Sequence, residues 1–438
     1  MKNILKLLAI LLIVTAIRIE SAYPANELFR SVASGNWNAT GTWQMSTNGG
    51  GTWIAATGAP TDTCGSITIQ GPNTVTVTVN VSADQIAMTS GGTISINTAI
   101  VFTIKDGSGE DLRMNPVSTI SGAGTVQTQG TDVTINVKNG SIFSTALKVN
   151  TGKLSSYDDG FPNRAIYRGA VTVDAGAILN VLNGGYTIQS LGNLTNNGDI
   201  TSGSSGSFVM SGTSMINNDS VRAENIVFDD TTSLSGTGAY TGVNISISAT
   251  GNVSLANNLT FSPVSSFTIN SGDLLNPNTR TLTFNRGSFY ILNGGTVTNS
   301  GTFQTQGTVS MIIRNGSNFN APLKVNTGTT TSSDDGSPFI ANYKGTVTVD
   351  AGAALTTPGG GYTNRVYGNV TNNGTVSGNN FIMRGSTLTN SGLISSSNFQ
   401  FDSVTSAAST GTFTGNTIAV SGTGRLTLTT NVTFSPAS

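Results

Sequence analysis

The sequence predicts an all-β chain wound as a parallel β-helix, a β-solenoid, and three observations carry that prediction. One long pattern occurs twice, at an offset of 176 residues through its middle and 173 near its end. Within each copy, Asn- and Gly-rich turn signatures recur at a finer period: "TNNGDI" at Thr195 and "INNDSV" at Ile216 lie 21 residues apart, "TNNGTV" at Thr371 and "TNSGLI" at Thr389 lie 18 apart. Between the turns stand short segments such as "VTV", "SFVM" and "NIVF", β-branched or aromatic and apolar at alternate positions, which is the pattern of half-buried strands. A unit so short buries its apolar face only by stacking on the next unit. About 18 such coils, spaced by roughly 4.8 Å, make a rod about 85 Å long.

The elements follow in order. Residues 1–22, "MKNILKLLAILLIVTAIRIESA", read as an export signal: Lys2 and Lys6 precede an apolar run from Leu7 to Ile17, and Ala16 or Ala22 suits a signal peptidase. That run is shorter than the roughly 20 residues needed to cross a bilayer, and no later segment reaches that length, so no transmembrane segment is expected after signal removal. Residues 23–82 hold all three Trp residues, Trp37, Trp43 and Trp53, and read as an N-terminal capping module with the first strands, including the alternating "TVTVTV" of Thr74 to Val79. Residues 83–265 form the first β-helix block and residues 266–438 its tandem duplicate. "GTVQTQG" (Gly124 to Gly130) returns as "GTFQTQG" (Gly301 to Gly307), while "LKVNTG" and "VTVDAGA" return unchanged at Leu323 and Val347. Each returning peptide is expected to occupy the same position in two successive blocks, with Asn corners stacked outside the apolar spine.

Composition narrows the chemistry. The chain has no His and one Cys, Cys64, so it builds no Ser-His-Asp triad, no Cys-His pair, no His-based zinc site and no intrachain disulfide. Cys64 reads as a small buried filler. With 20 basic and 21 acidic residues the net charge is -1, which leaves no electrostatic footprint for nucleic acid or anionic lipid.

The most prominent polar cluster is "SSYDDGFP" (Ser155 to Pro162), echoed as "SSDDGSP" (Ser332 to Pro338). Adjacent carboxylates supply hard oxygen ligands of the kind Ca²⁺ takes, so Asp158, Asp159, Asp334 and Asp335 are the candidate metal residues. The competing reading makes Asp-Asp-Gly a turn whose carboxylates meet nearby bases, with Lys148, Lys324, Arg168 and Lys344 in matching positions and no sugar-stacking aromatics evident beside either cluster. "KDGSGED" (Lys105 to Asp111) resembles part of a calcium loop through Asp106, Glu110 and Asp111, but departs from the EF-hand spacing. Asp229 and Asp230 read as a solvated turn, and Asn193, Asn252 and Asn369 as coil-corner Asn. No catalytic residue and no cofactor beyond Ca²⁺ is indicated. Thr-x-Thr rows also raise an ice-binding reading, against which Thr is an ordinary strand residue.

The opening module, carried by Ser34, Gly35, Asn36, Trp37, Thr42, Trp43, Pro60, Asp62 and Ile67 to Ile69, resembles the N-terminal segment of adhesin-like secreted and surface proteins of Bacteroidota-type bacteria. The resemblance implies a right-handed parallel β-helix, an extracellular or cell-surface location, and surface glycans or other cell-surface proteins as partners. Such proteins commonly end in a C-terminal sorting domain, which these residues do not contain, so a truncated reading frame is expected. The resulting expectation is a non-enzymatic structural or adhesive rod; the alternative is a carbohydrate-binding or Ca²⁺-dependent polysaccharide-degrading β-helix protein.

Overall fold

A computed structural model describes residues 27–298, 301–421 and 423–436; the expected export signal lies outside them. Apart from one 3-10 turn at Thr40–Thr42, every regular element described is a β-strand. Short strands with an inward residue at every second position turn a corner and pair, in parallel, with the strand one turn further along, so three strands complete a turn. Three ladders result. The first face runs from Leu28–Ser31 through Ser66–Ile69 and Ile86–Met88 to Arg425–Leu428. The second runs from Gly35–Asn36 and Thr74–Val77 to Thr433–Pro436, and the third from Val81–Ala83 and Val101–Lys105 to Thr417–Val420. The chain completes about 17 turns, which at roughly 4.8 Å per turn is a rod about 80 Å long.

One continuous spine fills the interior. On the first face Leu154, Leu179, Ile200, Val221, Tyr240, Phe261 and Phe284 succeed one another in register, each at most 1% exposed. The rings of Tyr240 and Phe261 stack at 4.8 Å. Full burial of each such side chain is worth about 1.5–3 kcal/mol. At the N-terminal end Trp43–Ser46 pairs antiparallel with Leu28–Ser31 and with Ile54–Ala55, the only antiparallel pairings among the described residues. Trp37 and Trp43 are buried with ring centroids 5.1 Å apart, and Trp37 also meets Phe102 at 5.0 Å. Ladders pass through residues 82/83 and 265/266 without a break, as Val81 pairs with Phe102 and Ile245 with Phe267, so the sequence blocks share one core.

Two expectations are corrected by the register. First, the Asn residues of the turn signatures are not all outside. Asn196, Asn217, Asn372 and Asn390 are 0% exposed, with Asn196 Nδ2 donating to Asn217 Oδ1 at 2.7 Å and Asn372 Nδ2 to Asn390 Oδ1 at 2.8 Å. Each also donates to a carbonyl of the following turn, Asn196 to Ser220 O and Asn372 to Leu393 O. The next Asn along faces out and forms an exposed ladder, Asn218 Nδ2 to Asn197 Oδ1 at 2.8 Å. The inner amide is retained because corner carbonyls turned into the core need donors. Second, the copies are not in phase with the coil. Val171–Val173 lies on the third face, whereas its duplicate Val347–Val349 lies 25 strands later on the first. At three strands per turn this is eight turns and one face, so the second copy is the first carried up the rod and rotated by a face. The slip is tolerated because all three faces offer the same slot, a short strand with alternate inward apolar residues and a tight corner.

Glycine makes one of those corners. A Cβ on Gly192 would stand 2.1 Å from Gly169 O, and one on Gly368 would stand 2.2 Å from Gly345 O. The coils approach too closely there for any side chain.

Candidate functional site

The two Asp-Asp-Gly loops fold as the same cassette. In the first, the strand Ala146–Tyr157 ends and Asp158, 0% exposed, turns its carboxylate back on its own loop. Its Oδ1 accepts from Gly160 N at 2.8 Å and its Oδ2 from Arg164 N at 3.2 Å, the Asx-turn use of an aspartate. In the second, Asp334 is also 0% exposed and accepts from Gly336 N at 2.9 Å. Among the described residues its Oδ2 has no hydrogen-bond partner, and burial raises its pKa against the pull of the surrounding amides. The outer aspartates are held by bases one turn earlier: Lys138 Nζ lies 3.0 Å from Asp159 Oδ1, and Arg314 grips Asp335 through Nε at 2.7 Å and Nη2 at 2.8 Å. That fork holds Asp335 below the usual carboxylate range. Beneath each loop a buried Ser–Tyr hydrogen bond ties the strands, Ser156 to Tyr167 at 2.6 Å and Ser332 to Tyr343.

Because of the slip, the first loop stands at the edge between the first and second faces and the second at the edge between the second and third. Eight and a third turns place them about 40 Å apart along the axis. The four candidate aspartates therefore form two separate pairs, each with one carboxylate closing the turn and one in an ion pair. Among the described residues no group of three or more His, Cys, Asp or Glu is placed to hold a metal.

Three of the four bases named from the sequence act elsewhere. Lys148 and Lys324 bridge to Asp174 at 2.9 Å and Asp350 at 3.1 Å, and Lys344 donates to Asn318. Lys138 and Arg314 were missed, although both stand 21 residues before their aspartates, one turn away. Aromatics also flank the loops after all, which corrects the expectation from local sequence. Tyr157 meets Tyr186 edge-on at 5.7 Å, Phe339 meets Tyr362 at 5.4 Å, and Phe161 is 91% exposed. Tyr186 and Tyr362 come from the following turn, so only the coil brings them in.

The segment Lys105 to Asp111 disperses its acids. Asp106 accepts from the Thr131 and Asp132 amides, Asp111 from the Gly107 and Thr134 amides. Glu110 accepts from Arg113, Tyr157 and Asn136; although burial opposes it, these bonds hold its carboxyl down at about 2. Asp84, 8% exposed, is pushed up to about 6 by burial first and then by Asp111 and Asp62. Cys64 is 4% exposed with its thiol raised by burial, a filler rather than a nucleophile. Asp229 accepts from Ser211 and Asp230 from Thr231 N. Asn193 accepts from Thr213, and Asn369 from Ser386 and Thr387, as corner residues do. Comparison with family models, with curated proteins and with solved structures found no match for the chain.

Proposed function

We propose that the chain is an exported structural or adhesive rod of a bacterial cell surface or extracellular matrix, without enzymatic activity of its own. One observation carries the reading: the most conspicuous polar groups are two self-contained loop cassettes, displayed on different edges of one unbroken rod, their carboxylates committed to turn closure and ion pairs. A rigid rod that projects repeated loops in different directions suits contact with extended partners, surface glycans or proteins, better than it suits convergence on one scissile bond. The aromatic rings beside each loop favour carbohydrate contact, because a ring stacks on the apolar face of a sugar.

The test pairs adhesion with turnover. Beads coated with the purified chain are expected to adhere to polysaccharide films and cell surfaces, while incubation with a panel of acidic polysaccharides, with and without Ca²⁺, releases no new chain ends. Robust turnover that is lost in Asp159→Ala and Asp335→Ala, both exposed enough to spare the fold, would replace the rod reading with a Ca²⁺-dependent polysaccharide-degrading one.

A further inference from the structure

A groove of about 480 Å³ opens at the corner after the third face, near the last turns described, lined by Tyr367, Arg384, Asp402, Ser403 and Thr423. We infer that it binds one unit of a neutral sugar chain; the inference rests on the surface-rod reading, for which it names a ligand class and a place.

Tyr367, Arg384 and Asp402 stand above one another because each directly follows a third-face strand, at residues 363–366, 380–383 and 398–401. The ladder continues through them, Arg384 N donating to Val366 O at 2.7 Å and Asp402 N to Met383 O at 2.9 Å. Asp402 fixes the guanidinium, its Oδ2 lying 2.7 Å from Arg384 Nε and 2.5 Å from Nη2. Arg384 is thereby held 5.5 Å from the Tyr367 ring centroid, with Nη1 3.4 Å from the phenol oxygen.

The two charges cancel inside the groove, so an anion or cation gains little net attraction there. What remains is a phenol 40% exposed, donors on Nη1, the second carboxylate oxygen of Asp402, and the hydroxyls of Ser403 and Thr423. A pyranose matches this set: an apolar C–H face for the ring and hydroxyls that both donate and accept. The volume lies within the range of small-ligand sites.

The first copy supplies an internal control. The matching corner positions there are Leu191, Ser211 and Asp229, which the one-face rotation sets after successive strands of the second face rather than the third, and Ser211 Oγ donates to Asp229 Oδ1 at 2.5 Å. The corner folds equally well without ring or guanidinium, so the fold does not require Tyr367 and Arg384.

Calorimetric titration of the full chain with cellohexaose, maltohexaose, chitohexaose and a galacturonate hexamer tests the inference. At least one neutral hexamer is expected to bind with one site per chain, about tenfold more weakly to Tyr367→Ala and nearly unchanged to Tyr367→Phe, with circular dichroism confirming that both variants fold. No binding by any neutral hexamer, equal binding by Tyr367→Ala, or binding of the galacturonate hexamer alone overturns it. Adhesion by coated beads in the absence of hexamer binding counts against the groove and leaves the rod reading standing; hexamer binding without adhesion counts against the rod reading alone.

Discussion

The buried Ser–Tyr bond occurs in both cassettes, but its surroundings differ, and the difference has a measurable consequence. Ser156 is 0% exposed and, among the described residues, its hydroxyl meets only Tyr167 Oη. Ser332 is also 0% exposed, but its hydroxyl meets both Tyr343 Oη and Asn364 Oδ1, the latter at 2.8 Å. Tyr167→Phe strands a buried hydroxyl and is expected to cost about 1–3 kcal/mol, whereas Tyr343→Phe leaves Ser332 partnered and costs about 1 kcal/mol. Hydrogen exchange is the suitable assay, because a stacked rod opens locally and each cassette reports on its own turn. Amides of Arg164–Tyr167 should exchange about tenfold faster in Tyr167→Phe, and clearly less acceleration should appear in Ile340–Tyr343 for Tyr343→Phe. Adding Ser156→Ala to Tyr167→Phe removes the stranded group and should recover most of the loss, with the coupling read from the double-variant cycle. Equal acceleration in the two copies, or no recovery in the double variant, would refute the account of these cassettes.

Gly192→Ala forces a methyl against the Gly169 carbonyl 2.1 Å away, and urea unfolding should register a loss of about 1–3 kcal/mol; Gly176→Ala, with open space around it but φ of +76°, should cost only about 1 kcal/mol. Asp84, held at about 6, destabilises the folded chain progressively as pH rises from about 4, where the unfolded chain ionises, through about 6, above which the full loss is present. Asp84→Asn should therefore be more stable than wild type at neutral pH, with the advantage vanishing near pH 4 in urea titrations. Calcium should leave the melting temperature unchanged, since Asp158 and Asp334 are fully buried in their turns; a rise that disappears in Asp159→Ala would place a Ca²⁺ site at the loops. Lys138→Ala should cost at most about 1 kcal/mol, the worth of a partly exposed ion pair.

Alternation in segments such as "NIVF" and "SFVM" made the strands legible, since the period of side-chain direction is a local property of an extended backbone. The stacking followed from the inability of an 18- or 21-residue unit to bury itself. The phase of the duplication was hidden, because an offset of 176 residues does not state how many strands it contains when corners vary in length. Neighbouring Asn residues such as Asn196 and Asn197 read alike, yet one faces the core and the other solvent, a choice made by the corner and invisible in composition. At the loops, the Asp-Gly turn was legible from local chemistry, and the partners Lys138 and Arg314 were within reach of a one-turn shift. Contacts two turns apart, such as Tyr157 with Glu110 across 47 residues, carry no sequence signal.

Engineered disulfides test the register most directly. In a Cys64→Ala background, outward-facing pairs one turn apart are replaced by Cys: Thr260 with Thr283 on the first face, Ser246 with Thr268 on the second and Ser233 with Ser254 on the third. Parallel neighbours roughly 4.8 Å apart fall within the Cα separation that a disulfide spans. All three pairs should oxidise rapidly and intramolecularly, while the unpaired combination of Ser246 with Thr260 should not; failure on any one face, or equal oxidation of the unpaired combination, would contradict the three-faced coil and with it the rotation of the second copy.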